Sequence, residues 1–168
     1  MKNNQIKGNR KLLVPLLLLL VSAGLFAQPN FSGSWAFNES KSNFGGSQFR
    51  FAATAMTIVQ DGNNLSVEST MPSQDGGEMK TNEKYTLDGK VCENPMFNSV
   101  RKSTVTWSDD KTSLNIASTM NFERDGESRE FKTSAIWKMA EEGKVLTIES
   151  TFPSPDGDIK TTLVYDKK

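Results

Sequence analysis

From residue 54 onward the chain alternates apolar and polar positions. Leu114, Ile116, Ser118, Met120 and Phe122 share one parity. Phe131, Thr133, Ala135, Trp137 and Met139 share another, followed by Leu146, Ile148, Ser150 and Phe152, and then by Ile159, Thr161, Leu163 and Tyr165. A period of two held over four or more residues puts one set of side chains on an apolar face and the other toward water, the pattern of half-buried β-strands. Between the runs stand Asp61-Gly62, Asp75-Gly76, Asp88-Gly89, Asp125-Gly126 and Asp156-Gly157, with Glu142-Gly143 as a weaker stop. Asp-Gly suits the positive-φ positions of tight turns, so each dipeptide predicts a hairpin. No comparable helical period follows the amino-terminal segment.

The strands repeat. Leu65-x-Val67-x-Ser69-Thr70-Met71 returns as Leu114-x-Ile116-x-Ser118-Thr119-Met120 and again as Leu146-x-Ile148-x-Ser150-Thr151-Phe152. Each copy leads through an Asp-Gly turn to Lys-Thr and then an aromatic: Lys80-Thr81 to Tyr85, Lys132-Thr133 to Trp137, Lys160-Thr161 to Tyr165. The repeated unit is one hairpin. The first two copies are 49 residues apart and the next two 32, and the longer interval holds an extra hairpin near residues 90–93 and 100–107. The economical topology is an all-β, antiparallel up-and-down meander of about eight to ten strands. Such a meander must manage its two edges, and closure into a barrel does so, with an open, strongly bent sheet as the alternative.

Residues 1–27 differ from the rest. They hold four Lys or Arg, no acid and eight of the thirteen Leu. Lys2, Lys7, Arg10 and Lys11 form a basic start, Leu12 to Val21 an apolar run of ten residues, and Ser22 to Ala27 a small-residue region ending in a cleavage site before Gln28. This predicts a secretory signal peptide over 1–27, of bacterial style, and a single domain over 28–168. Ten apolar residues are too few for a membrane span, which needs about 20. The exported protein is then expected in the periplasm or outside the cell.

Residues 28–168 carry 16 basic and 20 acidic side chains, a net charge of −4, which argues against a nucleic-acid partner. There is no His and one Cys. Ser-His and Cys-His nucleophile pairs, thiolate metal clusters and internal disulfides are thereby excluded. No catalytic residue, no metal ligand and no cofactor is expected, and Cys92 reads as a small strand residue.

The candidate chemistry lies on the inward parity. Ser69, Ser118 and Ser150 recur at matching places, with Thr81, Thr133 and Thr161 on the partner strands. Glu83, Arg101 and Arg129 share the parity of their strands' apolar residues. One end of the barrel is therefore apolar and the other mixed, as in a small-ligand cavity with an apolar floor and a polar rim. The candidate ligand-binding residues are Arg101, Arg129, Glu83, Ser69, Ser118, Ser150, Met71, Met120 and Phe152. An arginine there suits a carboxylate bidentately. The competing reading puts these residues at strand ends reaching water, with Glu83 paired to one of the arginines. Met56, Met71, Met79 and Met120 fit a deformable lining. Trp35, Trp107 and Trp137 read as core or end plugs. Residues 38–51, rich in Gly and Ser, are a surface loop or a flap. Residues 94–97, Asn-Pro-Met-Phe, are a second candidate mouth loop.

Phe31-Ser32-Gly33-Ser34-Trp35 resembles the Gly-x-Trp signature that opens lipocalins and fatty-acid-binding proteins, where it lies on the first strand and the Trp closes one end. Trp35, Asn38, Lys41 and Ser42 also match the Trp-x-x-Asn-x-x-Lys-Ser pattern of secreted bacterial lipocalin-like proteins. The resemblance implies a lipocalin-like barrel. It does not carry over a ligand: 18 residues between Trp35 and Thr54 leave no room for the two-helix lid of fatty-acid-binding proteins, and Leu163 stands where they place a carboxylate-holding Arg. The expected function is an exported, monomeric binding protein for a small apolar or amphipathic ligand. The alternative is a structural or protein-interaction barrel of the cell envelope with a filled interior.

Overall fold

Among the described residues ten strands follow one another: β1 Gly33–Phe37, β2 Ala55–Asp61, β3 Asn64–Pro72, β4 Glu78–Thr86, β5 Cys92–Met96, β6 Ser99–Trp107, β7 Ser113–Arg124, β8 Glu127–Ala140, β9 Val145–Phe152 and β10 Ile159–Lys167. The computed structural model describes residues 28–168 apart from 48, 49, 74, 97 and 125. The segment expected to be a signal peptide, 1–27, lies outside the described residues, as does Phe97. All neighbouring strands are antiparallel, in the order β4-β3-β2-β1-β10-β9-β8-β7-β6-β5. The all-β meander is thus a nearly closed barrel, with β1 and β10 completing it at the centre of the sheet. The turn glycines take the positive φ expected of them, but Asp88-Gly89 makes no hairpin: β4 and β5, which it links, share no ladder. Gly62 and Gly126 have φ of 54° and 80°, which an L side chain adopts only with strain.

The inward parity fills one end with apolar side chains. Ile58, Leu65, Leu114, Leu146 and Val105 are buried there, and Phe31 seals the end. The Phe31 ring lies 6.1 Å from Trp107 and 6.2 Å from Trp137, and its carbonyl accepts the Trp35 indole N–H at 3.1 Å. The tryptophans expected to plug an end do so. Burying large apolar and aromatic groups together is the main favourable term in holding such a sheet curled.

The segment between β1 and β2 holds one short 3-10 turn among its described residues, Glu39–Lys41. Those described residues form no helical lid. Its first half is a clasp on β10, built from the Trp-x-x-Asn-x-x-Lys-Ser pattern. Asn38 Oδ1 accepts from the Lys41 amide, and Asn38 Nδ2 donates to Asp166 Oδ2. Lys41 Nζ meets the other Asp166 oxygen at 3.2 Å. Ser42 Oγ donates to the Asn38 carbonyl and accepts from the Val164 amide, and Asn43 pairs with Thr162. The Asn38 and Lys41 contacts hold the Asp166 carboxyl below the usual carboxylate range.

The sheet's end strands, β4 and β5, lie against each other without a ladder. A buried side chain bridges them instead. Asn94 Oδ1 accepts the Lys84 amide at 2.7 Å, and Asn94 Nδ2 donates to the Lys84 carbonyl at 3.0 Å. One primary amide thereby matches both polar groups of a backbone residue. Cys92 Sγ, half-buried, lies 3.2 Å from the Thr86 amide it accepts. This corrects the expectation of a mouth loop at 94–97. Residues 94–96 belong to β5, with Asn94 and Met96 buried. The strand expected at 90–93 likewise lies at Cys92–Met96. Pro95 signals a turn in sequence, but proline is compatible with an edge strand, where its missing N–H faces no ladder.

Candidate functional site

The barrel interior changes character along its length. Above the aromatic end, inward positions of β6 to β10 become small and polar. Ser103 faces Ser118, their hydroxyl oxygens 2.8 Å apart, and Ser118 faces Thr133. Ala135 faces Ile116 and Ser150, and Ser150 faces Thr161. Ser118, Thr133, Ala135 and Ser150 point inward from the bodies of their strands, yet all four are only half-buried. Side chains this short fill less of a barrel interior than the Leu, Ile and Trp below them.

At the seam the interior carries charge. Arg101 reaches from β6 past β5 to form an ion pair with Glu83 on β4. Its Nη2 also lies 3.3 Å from the Tyr85 hydroxyl. Glu83 is 8% exposed, and the Arg101 side chain 24%. Burial lowers the Arg101 pKa and raises that of Tyr85, so the phenol stays protonated. Arg101 Nε is buried without a hydrogen-bond partner. Such an orphan donor is uncommon in a folded protein.

The other sequence candidates fall into two groups. Met120 faces Arg101 in the β6–β7 register, and Ser118 lies two residues before it on β7. Ser69, buried, faces Met56 and Thr81. These join Glu83 and Arg101 inside the barrel. Ser150 lies on the inward wall described above, and Met71, Arg129 and Phe152 stand at the open end. Met71 and Met79, cross-strand partners, line a cleft of about 510 Å³ with Arg50 and Phe51. Phe122, Arg129, Phe131 and Pro153 line another of about 600 Å³. Phe152, half-buried at the end of β9, faces Ile159. Arg129 is exposed and lies 3.3 Å from Glu127, so it reaches water rather than the interior pair.

Three participants lay outside the candidate set. Ser103 shares the parity of Arg101, and that signal was sufficient to find it. Tyr85 was visible only as the aromatic of the hairpin repeat. Asn94 was hidden by the Asn-Pro dipeptide. Among the described residues no group of three or more acidic or Cys side chains is placed to hold a metal ion.

These features define a calycin-like barrel. No protein-family model and no curated protein matches the chain. Among solved structures, zebrafish ileal bile acid-binding protein, in its complex with cholic acid, is similar in fold with a TM-score of 0.54. The two share 15% sequence identity over 82% of this chain and 98% of that one.

Proposed function

We propose that the chain is an exported carrier that holds a small apolar or amphipathic molecule in its barrel. The observation that carries this reading is the inward wall of Ser118, Thr133, Ala135 and Ser150, short side chains left half-buried above an aromatic floor. An apolar floor with a few polar groups above it is how small-molecule sites combine affinity with orientation. The fold similarity to a protein solved with cholic acid supports the same class of ligand. Export rests on the basic, apolar and small-residue order of 1–27. No catalytic role is proposed: Glu83, the buried carboxylate at the polar cluster, is tied to Arg101.

The second reading, a filled envelope barrel that binds a protein, is favoured by the sealed lower half, where Phe31, Trp35 and Trp137 are buried. Native mass spectrometry of the protein, purified gently from its host, separates the two. The carrier reading expects a reproducible added mass that disappears on denaturation. A bare protein that also fails to bind a neutral fluorescent apolar dye would leave the filled barrel as the better account.

A further inference from the structure

The carrier reading leaves open which head group the interior accepts, and the inference below rests on that reading. A lone buried guanidinium favours a carboxylate. Here the position is already taken. Glu83 meets Arg101 Nη2, and Tyr85 Oη meets the same nitrogen, so the cluster is electrically neutral before any ligand arrives. A ligand carboxylate would bring a second negative charge to a single guanidinium beside Glu83. Two carboxylates sharing one site disfavour ionisation of both. An uncharged hydroxyl raises no such conflict. It can accept from Arg101 Nε, which has no hydrogen-bond partner, without adding charge.

We infer that the barrel selects amphiphiles with a neutral, hydroxyl-bearing head group over the corresponding carboxylates, with Glu83 as the residue that rejects the acid. Discrimination by a repulsive element placed against the wrong ligand is a general route to specificity. Glu83 also holds Arg101 in place, so one side chain both positions the donor and cancels its charge.

The test is a matched pair of ligands competing for the chain purified from its host and freed of bound lipid. Nile red, a neutral dye, reports occupancy. It is displaced by 1-dodecanol or by dodecanoate at about pH 8, where the acid is ionised. The alcohol is expected to displace the dye at roughly tenfold lower concentration, the size of one lost charge-assisted contact. Glu83→Gln is expected to strengthen dodecanoate about tenfold relative to dodecanol, so that the preference for the alcohol is lost. Equal or better displacement by dodecanoate in the unaltered protein overturns the head-group inference and leaves the carrier reading standing. So does a Glu83→Gln variant with an unchanged ratio. Failure of Nile red and both ligands to bind overturns both. If circular dichroism shows Glu83→Gln unfolded, Glu83→Met with Arg101→Met removes the pair together. Dodecanol is then expected to weaken about fivefold, and an unchanged affinity sinks the assignment.

Discussion

Glu83 and Arg101 carry opposite charges where water barely reaches, and each is tolerable because of the other. Their side chains are 11% and 24% exposed, too little for solvent to screen the pair as it would on the surface. Removing one member strands the other. We expect Arg101→Met to destabilise the fold by about 3 kcal/mol, read as a lower urea midpoint, because Glu83 is left charged and unpaired. Adding Glu83→Leu should restore most of that loss, since apolar replacement of a whole buried pair is often neutral. A single variant as stable as the parent would mean that the pair is solvated, and would count against the role proposed for it in ligand choice. Arg129 makes the contrast. It has the same side chain and the same inward parity, but at the open end of β8 it pairs with Glu127 in water, and its loss should be nearly silent.

At the scale of elements the seam between β4 and β5 is the place where the barrel can open. Every other pair of adjacent strands is joined by a ladder, whereas this one rests on Asn94 and the Cys92 thiol. Asn94→Ala deletes both bonds to Lys84 and should cost about 2 kcal/mol. Asn94→Asp keeps the acceptor for the Lys84 amide but sets a buried carboxylate against the Lys84 carbonyl, so it should cost at least as much as the alanine. Hydrogen exchange at Lys84 reads the loss: protection should fall in both variants. Equal protection in all three proteins would show that packing, rather than the amide bridge, holds the seam. The same strand marks the limit of what was legible in the sequence. Hairpins such as β7–β8 and β9–β10 were readable because alternation and Asp-Gly turns report purely local physics. β5 was not, because Asn-Pro signals a turn unless an edge strand accommodates it, and edge position is a property of the whole sheet. The candidate site divides in the same way. Parity identified Glu83 and Arg101 as inward residues. Their pairing was one of two open alternatives, because which strands meet across the seam depends on closure and leaves no mark on either strand alone.

Closure is also what distinguishes the molecule from a string of hairpins. Its halves meet at β1 and β10, where Phe37 pairs with Tyr165 and the Asn38–Lys41 clasp holds Asp166. These partners are more than a hundred residues apart in the chain, so bringing them together demands the largest loss of chain entropy in the fold. Local hairpins such as β2–β3 bear far less of that burden, and their contacts are available early. Two buried valines separate the stages: Val164 on β10 beside the clasp, and Val67 in the middle of β3. Truncating either to alanine should cost roughly 2 kcal/mol. We expect the kinetic signatures to differ. Val164→Ala should mainly accelerate unfolding and leave refolding almost unchanged, while Val67→Ala should slow refolding, as measured by stopped-flow tryptophan fluorescence across a urea series. If Val164→Ala slows refolding by its full effect on stability, the β1–β10 contact belongs to the nucleus, and the hairpins form on a barrel already closed. The outcome bears on function, because a late-closing junction is also an early-opening one. In the expected case the clasp joins the Asn94 seam as a place where the barrel loosens before it unfolds.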